Sequence, residues 1–148
     1  MPTRRNILAG LGAIALAPAA RAASPMIFSQ GGAAISGFDT VSYFADGGPL
    51  AGRADNALMW KGAVWRFASD ANREAFEANP RAYAPQFGGY CAYAVAQGGL
   101  STTDPNVWHI VKDKLYLIHS QSVDQAWMRD PQAYIERAEA NWPEVLYG

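Results

Sequence analysis

The chain has 148 residues, a formal net charge of −1 and one cysteine, Cys91, so no intramolecular disulfide can form and stability must come from packing. Residues 1–22 hold three arginines and no acid, which leaves nine basic against thirteen acidic side chains in the remainder, about −4. No basic stripe is left to neutralise phosphates, so nucleic acid and anionic lipid surfaces are excluded as partners.

Near its start the chain has Thr3-Arg4-Arg5-Asn6-Ile7-Leu8, then a weakly apolar Ala9–Ala17, and then the small-x-small site Ala20-Arg21-Ala22. This order predicts a twin-arginine signal peptide over 1–22 and a mature domain over 23–148 in the periplasm. The apolar run is about half of the roughly 20 residues that span a bilayer, so no membrane insertion is expected after cleavage.

Beyond the cleavage site, Gly31-Gly32 separates two strand-like pieces, Met26–Ser29 and Ala33–Ser36, and Gly37-Phe38-Asp39 leads into a strand at Val41–Phe44. The rest is organised by an internal repeat with a 51-residue offset: Lys61–Tyr83 aligns without a gap on Lys112–Tyr134. Ser69/Ser120, Ala75/Ala126, Pro80/Pro131 and Tyr83/Tyr134 are identical, and Trp65/Tyr116, Phe67/Ile118 and Phe76/Trp127 are similar. Each copy reads as a hairpin followed by a helix. In the first, a two-residue turn at Lys61-Gly62 puts Leu58, Trp60, Trp65 and Phe67 on one face. Ser69 then caps a helix that turns Ala75 and Phe76 inward, and Asn79-Pro80 starts a short turn, with Asn79 as cap and Pro80 at the first helical position, that Pro85 breaks. Between the copies, Ala92–Gln97 reads as a short helix bounded by glycines, and residues 100–106 as polar loop.

In the second copy the turn is Lys112-Asp113 between strands Val107–Val111 and Leu115–His119, so residue 111 pairs with 114, 109 with 116 and 106 with 119. That register puts His109 on the face of Tyr116 and Ile118, and His119 on the opposite one. Ser120 caps a helix burying Val123, Ala126 and Trp127. A longer helix after Asp130-Pro131 turns Tyr134, Ile135 and Ala138 inward, and Asn141-Trp142-Pro143 ends it. The expected fold class is α+β, two hairpin-plus-helix repeat units forming one small single domain.

Three stretches, Ile35-Ser36-Gly37-Phe38-Asp39-Thr40-Val41-Ser42-Tyr43-Phe44, Trp65–Ser69 through Tyr83, and Gly88-Gly89-Tyr90-Cys91-Ala92-Tyr93, resemble exported YHS-domain proteins over nearly all of 23–148. The resemblance implies a small domain that binds a metal ion, a transition metal such as copper or zinc, or a small ligand, with no established reaction. Metal-binding relatives carry cysteines where this chain has Ser42, Ala68 and Asn72, so that soft ligand set is missing here.

Cys91 is the most informative single residue: at the start of the Ala92–Gln97 helix it is a nucleophile, a metal ligand, or an inert packed thiol between Tyr90 and Tyr93. His119, at a strand-to-helix junction, is the better of the two histidines as its partner in a metal site; His109 reads as a half-buried core histidine. Asp39 is a ligand contact or a turn carboxylate accepting backbone N–H groups. Met59 and Met128 read as packing. The resulting expectation is a periplasmic, non-enzymatic protein holding a metal ion or small ligand near Cys91, Tyr90, Tyr93 and Asp39, with Cys91 and His119 as metal donors. The alternatives are a thiol-dependent enzyme using Cys91 and a structural or partner-binding module. Replacing Arg4-Arg5 by Lys-Lys should stop export and leave uncleaved precursor in the cytoplasm; cell fractionation showing normal export of that variant would move the protein to the general secretory route.

Overall fold

Two turns set the architecture. Lys61 and Gly62 have φ of 49° and 74°, and Lys112 and Asp113 have 51° and 63°, the paired left-handed geometry of the two-residue hairpin turn whose twist matches its flanking strands. In this computed structural model, which describes Gly12 and residues 22–148, they close the two main hairpins, and the expected signal peptide lies outside the described residues apart from Gly12 and Ala22. The first hairpin joins β5 (Arg53–Trp60) to β6 (Ala63–Phe67), with Trp60 opposite Ala63 and Leu58 opposite Trp65. The second joins β7 (Asp104–Val111) to β8 (Lys114–Ile118), with Val111 opposite Lys114 and His109 opposite Tyr116. Each hairpin runs into a capped helix. Ser69 Oγ accepts the Asn72 N–H at the start of α1 (Asp70–Ala78), and Ser120 Oγ accepts the Val123 N–H at the start of α4 (Gln121–Trp127). A second, proline-led helix follows in each copy: α2 (Pro80–Tyr83) is one turn, whereas α5 (Pro131–Asn141) is 11 residues. Between the copies lies α3 (Ala92–Ala96). The domain is α+β, built of small antiparallel hairpins followed by helices.

The repeat also reaches further back than side-chain similarity suggests. In β5 the pairing jumps from Ala57 opposite Arg66 to Arg53 opposite Phe67; in β7 it jumps from Trp108 opposite Leu117 to Asp104 opposite Ile118. The same bulge recurs at the same offset and buries Asn56 in one copy and Val107 in the other. It corrects the expected pairing of residue 106 with 119, since residues 105–107 leave the ladder and strand β7 starts at Asp104, inside the expected loop.

Two cores result. Trp65, Phe67 and Phe76 pack with Ile35 and Tyr43 on one side of the second hairpin; Trp127, Ile135 and Ala138 pack with Cys91, Val95 and Val107 on the other. β8 serves both, sending Leu115 and Leu117 to the first and Tyr116 and Ile118 to the second. Tyr43 bridges toward the second hairpin: its hydroxyl donates to the Pro105 carbonyl at 2.5 Å and its ring meets Trp108 edge-on, and burial together with Asp104 raises its phenol pKa well above the usual value.

Four local expectations are corrected. The strand-like pieces ahead of the repeat are two-residue strands, β1 (Ser29–Gln30) and β2 (Ala33–Ala34), and Ile35-Ser36-Gly37 is a turn with all three residues at positive φ. Val41–Phe44 is a 3-10 turn rather than a strand, between β3 (Phe38–Asp39) and β4 (Leu50–Ala51). Met59 and Met128 are exposed, 66% and 52%, rather than packed. Asn79 stands at the start of α2, but its side chain makes no capping bond.

The Val41–Phe44 turn forms because Asp39 outcompetes a ladder for its N–H groups. The Asp39 carboxylate is fully buried and accepts four hydrogen bonds: Val41 N–H (2.9 Å) and Ser42 N–H (3.3 Å) on one oxygen, Ala68 N–H (2.9 Å) and Asn72 Nδ2 (2.7 Å) on the other. This ties the segment ahead of the repeat to the β6–α1 junction through charge-assisted bonds. Asp39→Asn turns one acceptor oxygen into a donor facing donors and should lower stability by about 3 kcal/mol, read as a reduced guanidinium midpoint at unchanged slope. A midpoint within error of wild type would remove the carboxylate from its structural role.

Candidate functional site

The residues expected to form a site are each engaged locally, and the structure does not gather them. Cys91 precedes α3 and is fully buried. Its Sγ accepts the backbone N–H of His119 at 3.3 Å, so the link between these two residues runs through main chain and not through the imidazole. The His119 ring is exposed, with Nδ1 at 2.9 Å from the Thr102 carbonyl oxygen. Because a carbonyl only accepts, Nδ1 carries the proton. Tyr90 donates its hydroxyl to the Pro25 carbonyl at 2.7 Å, and burial raises its pKa. Tyr93 packs on Tyr134 with ring centres 5.0 Å apart. His109 stacks on Trp127 at 4.6 Å and bonds through Nε2 to Asp124 Oδ1 at 2.5 Å.

Ser42, Ala68 and Asn72, the three positions that the resemblance sets against cysteine ligands, do converge: all three donate to the Asp39 carboxylate. Their groups there are N–H donors, which face an anion and repel a cation. Among the described residues no three His, Cys, Asp or Glu side chains stand close enough to share a metal ion. The donor set therefore does not fit a resident metal either at Asp39 or at Cys91 and His119.

The main concavity lies elsewhere. A cleft of about 410 Å³ opens between the tip of the first hairpin, the segment after α2, and the end of α5. That volume is at the lower end of the range of small-molecule sites. Trp60 and Lys61 come from the hairpin tip, Arg81 from α2, Gln86, Phe87 and Gly88 from the following turn, and Glu139 and Trp142 from α5 and its C-terminal flank. Lys61 Nζ lies 4.7 Å from the centre of the Trp60 ring. Partial burial, and then the Arg81 charge, lower the Lys61 pKa. Among the described residues neither cation has a carboxylate within ion-pair distance.

The floor is held in an uncommon conformation. Phe87, a bulky residue, has φ of 56°, followed by Gly88 at 63° and Gly89 at 85°. Left-handed backbone at a non-glycine residue costs on the order of 1–3 kcal/mol and clusters at ligand clamps. At Gly88 no side chain is possible: a Cβ would lie 1.9 Å from the Met26 carbonyl oxygen. The bend presents Phe87 to Trp142, ring centres 6.1 Å apart.

Of these residues the sequence marks Lys61 only as a turn and Trp142 only as a helix stop. The repeat does carry a usable sign: at the 51-residue offset Lys61 matches Lys112, but Trp60 matches Val111 and Arg81 matches Gln132. Comparison with protein-family models, curated proteins and solved structures finds no match. Among the described residues, no helix is long and apolar enough to cross a membrane. Because its thiol is buried, native Cys91 should resist iodoacetamide at neutral pH and label fully only in denaturant, followed by mass spectrometry; rapid native labelling would reinstate a reactive thiol.

Proposed function

We propose that this chain is an exported, non-enzymatic YHS-like binding protein of the periplasm whose ligand is a small organic molecule held in the cleft between Trp60, Phe87 and Trp142. The observation that carries this reading is the cleft itself: aromatic walls, a few converging polar groups and a floor built on strained backbone. The lining carries no thiol, hydroxyl or imidazole, and its titratable side chains are Lys61, Arg81 and Glu139. Burial of Cys91 speaks against a thiol enzyme. The convergence of Ser42 on the same carboxylate as Ala68 and Asn72 supports the YHS-like reading, since Ser42 is far from the other two in the chain.

Native mass spectrometry and elemental analysis of the protein isolated from its own periplasm test the reading. A small organic adduct, absent from an Ala84→Trp variant whose new indole fills the cleft, is the expected result. A stoichiometric transition metal instead, or an adduct that survives Ala84→Trp, would overturn it.

A further inference from the structure

Resting on the reading of the cleft as the ligand site, its charges define the class of ligand. Lys61 and Arg81 both line it, each contributes its field to the other, and among the described residues no carboxylate stands within ion-pair distance of either. Two like charges facing one space repel, so the arrangement is relieved by an anion between them. Lys61 is held toward the site by the Trp60 ring beneath its ammonium group. The lining also has an apolar part, formed by Trp142, Phe87 and the buried Ile27. Glu139 is the single acid of the lining and can accept a hydrogen bond from a ligand N–H or O–H.

The second copy of the repeat serves as an internal comparison. Its hairpin tip keeps the lysine, Lys112, but has Val111 and Gln132 in place of Trp60 and Arg81. A lysine in that turn is thus common to both hairpins, whereas the second cation and the supporting indole occur only where the cleft is. A solubilising surface charge would give no reason for that coincidence.

We infer that the cleft takes a small anionic molecule with a flat apolar body, its carboxylate or phosphate ester held between Lys61 and Arg81 and its body against Trp142. The carboxylate and the phosphate share the chemistry of a compact oxyanion that accepts from a guanidinium fork and an ammonium.

The test uses four probes on the full chain: 2-naphthoate, 2-naphthyl phosphate, neutral 2-naphthamide and cationic 2-naphthylmethylammonium. Affinity is read by calorimetry, and location by the indole N–H resonances of Trp60 and Trp142, assigned with Trp60→Phe and Trp142→Phe. At least one anion should bind about tenfold more tightly than the amide and shift the Trp142 resonance. Lys61→Met and Arg81→Met should each weaken it about 5- to 10-fold, with Lys112→Met unchanged. A preference for naphthoate or for the phosphate identifies the oxyanion, and either supports the inference. Equal or tighter binding of the amide or the ammonium at Trp142 would overturn the anion assignment while leaving the cleft as a binding site. If no probe moves Trp142, the reading of the cleft falls as well. All three methionine variants replace exposed turn or helix-end residues, and an unchanged thermal midpoint confirms that each is folded.

Discussion

β8 has no solvent face along most of its length. Leu115 and Leu117 enter the core shared with Trp65, Phe67 and Phe76, while Tyr116 and Ile118 enter the core shared with Trp127 and Ile135. A strand buried on both sides reads as a continuous apolar run, and Leu115-Tyr116-Leu117-Ile118 does so, whereas its counterpart in the first copy alternates, with Trp65 and Phe67 buried and Val64 and Arg66 half-buried. The two repeat units are therefore not equivalent halves of a sandwich. The second hairpin is the partition, and a register slip of one residue in β8 would exchange the contents of both cores at once. The left-handed turn at Lys112-Asp113 is what prevents that slip.

Legibility in the sequence followed the range of the interaction. Turn type, hairpin register near the turn, the serine caps and the helix ends depend on a few neighbouring residues, and Lys61-Gly62, Ser69, Ser120 and Trp142 could be read correctly from local pattern. The bulges could not, because extra residues in one strand, here 54–56 and 105–107, are a property of the pair. The segment ahead of the repeat was misread for a related reason. Val41–Phe44 has the apolar β-branched and aromatic content of a strand, yet the Asp39 carboxylate and Ser42 hydroxyl take up the hydrogen-bonding groups that a ladder would use. Asp39 itself was recognised as a turn carboxylate, but its bonds to Ala68 and Asn72 span 29 and 33 residues and have no local trace.

The candidate site shows the same division. Cys91, Tyr90, Tyr93, His109 and His119 were conspicuous because their side chains carry chemistry, but each has a partner close by that satisfies it, and chemistry-bearing type alone says nothing of access. The cleft residues are inconspicuous because they come from four separated stretches, and tryptophan, lysine and arginine have ordinary roles at turns and helix ends. What distinguished them was a comparison of the chain with itself. Where two copies of one unit keep a residue, as at Lys61 and Lys112, the unit requires it; where one copy departs, as at Trp60 and Arg81, something other than the unit does.

That departure has a structural origin. The proline-led helix stops after one turn in the first copy, because Ala84 is extended before Pro85, and the chain then bends through Phe87, Gly88 and Gly89. In the second copy the same helix continues to Asn141 and carries Glu139 and Trp142 alongside the gap that the shorter helix leaves. The cleft is thus the volume by which two copies of a repeat fail to match. Its persistence at the cost of a positive-φ phenylalanine and a glycine that admits no side chain is the physical reason to look there for ligand binding, rather than at the lone buried thiol.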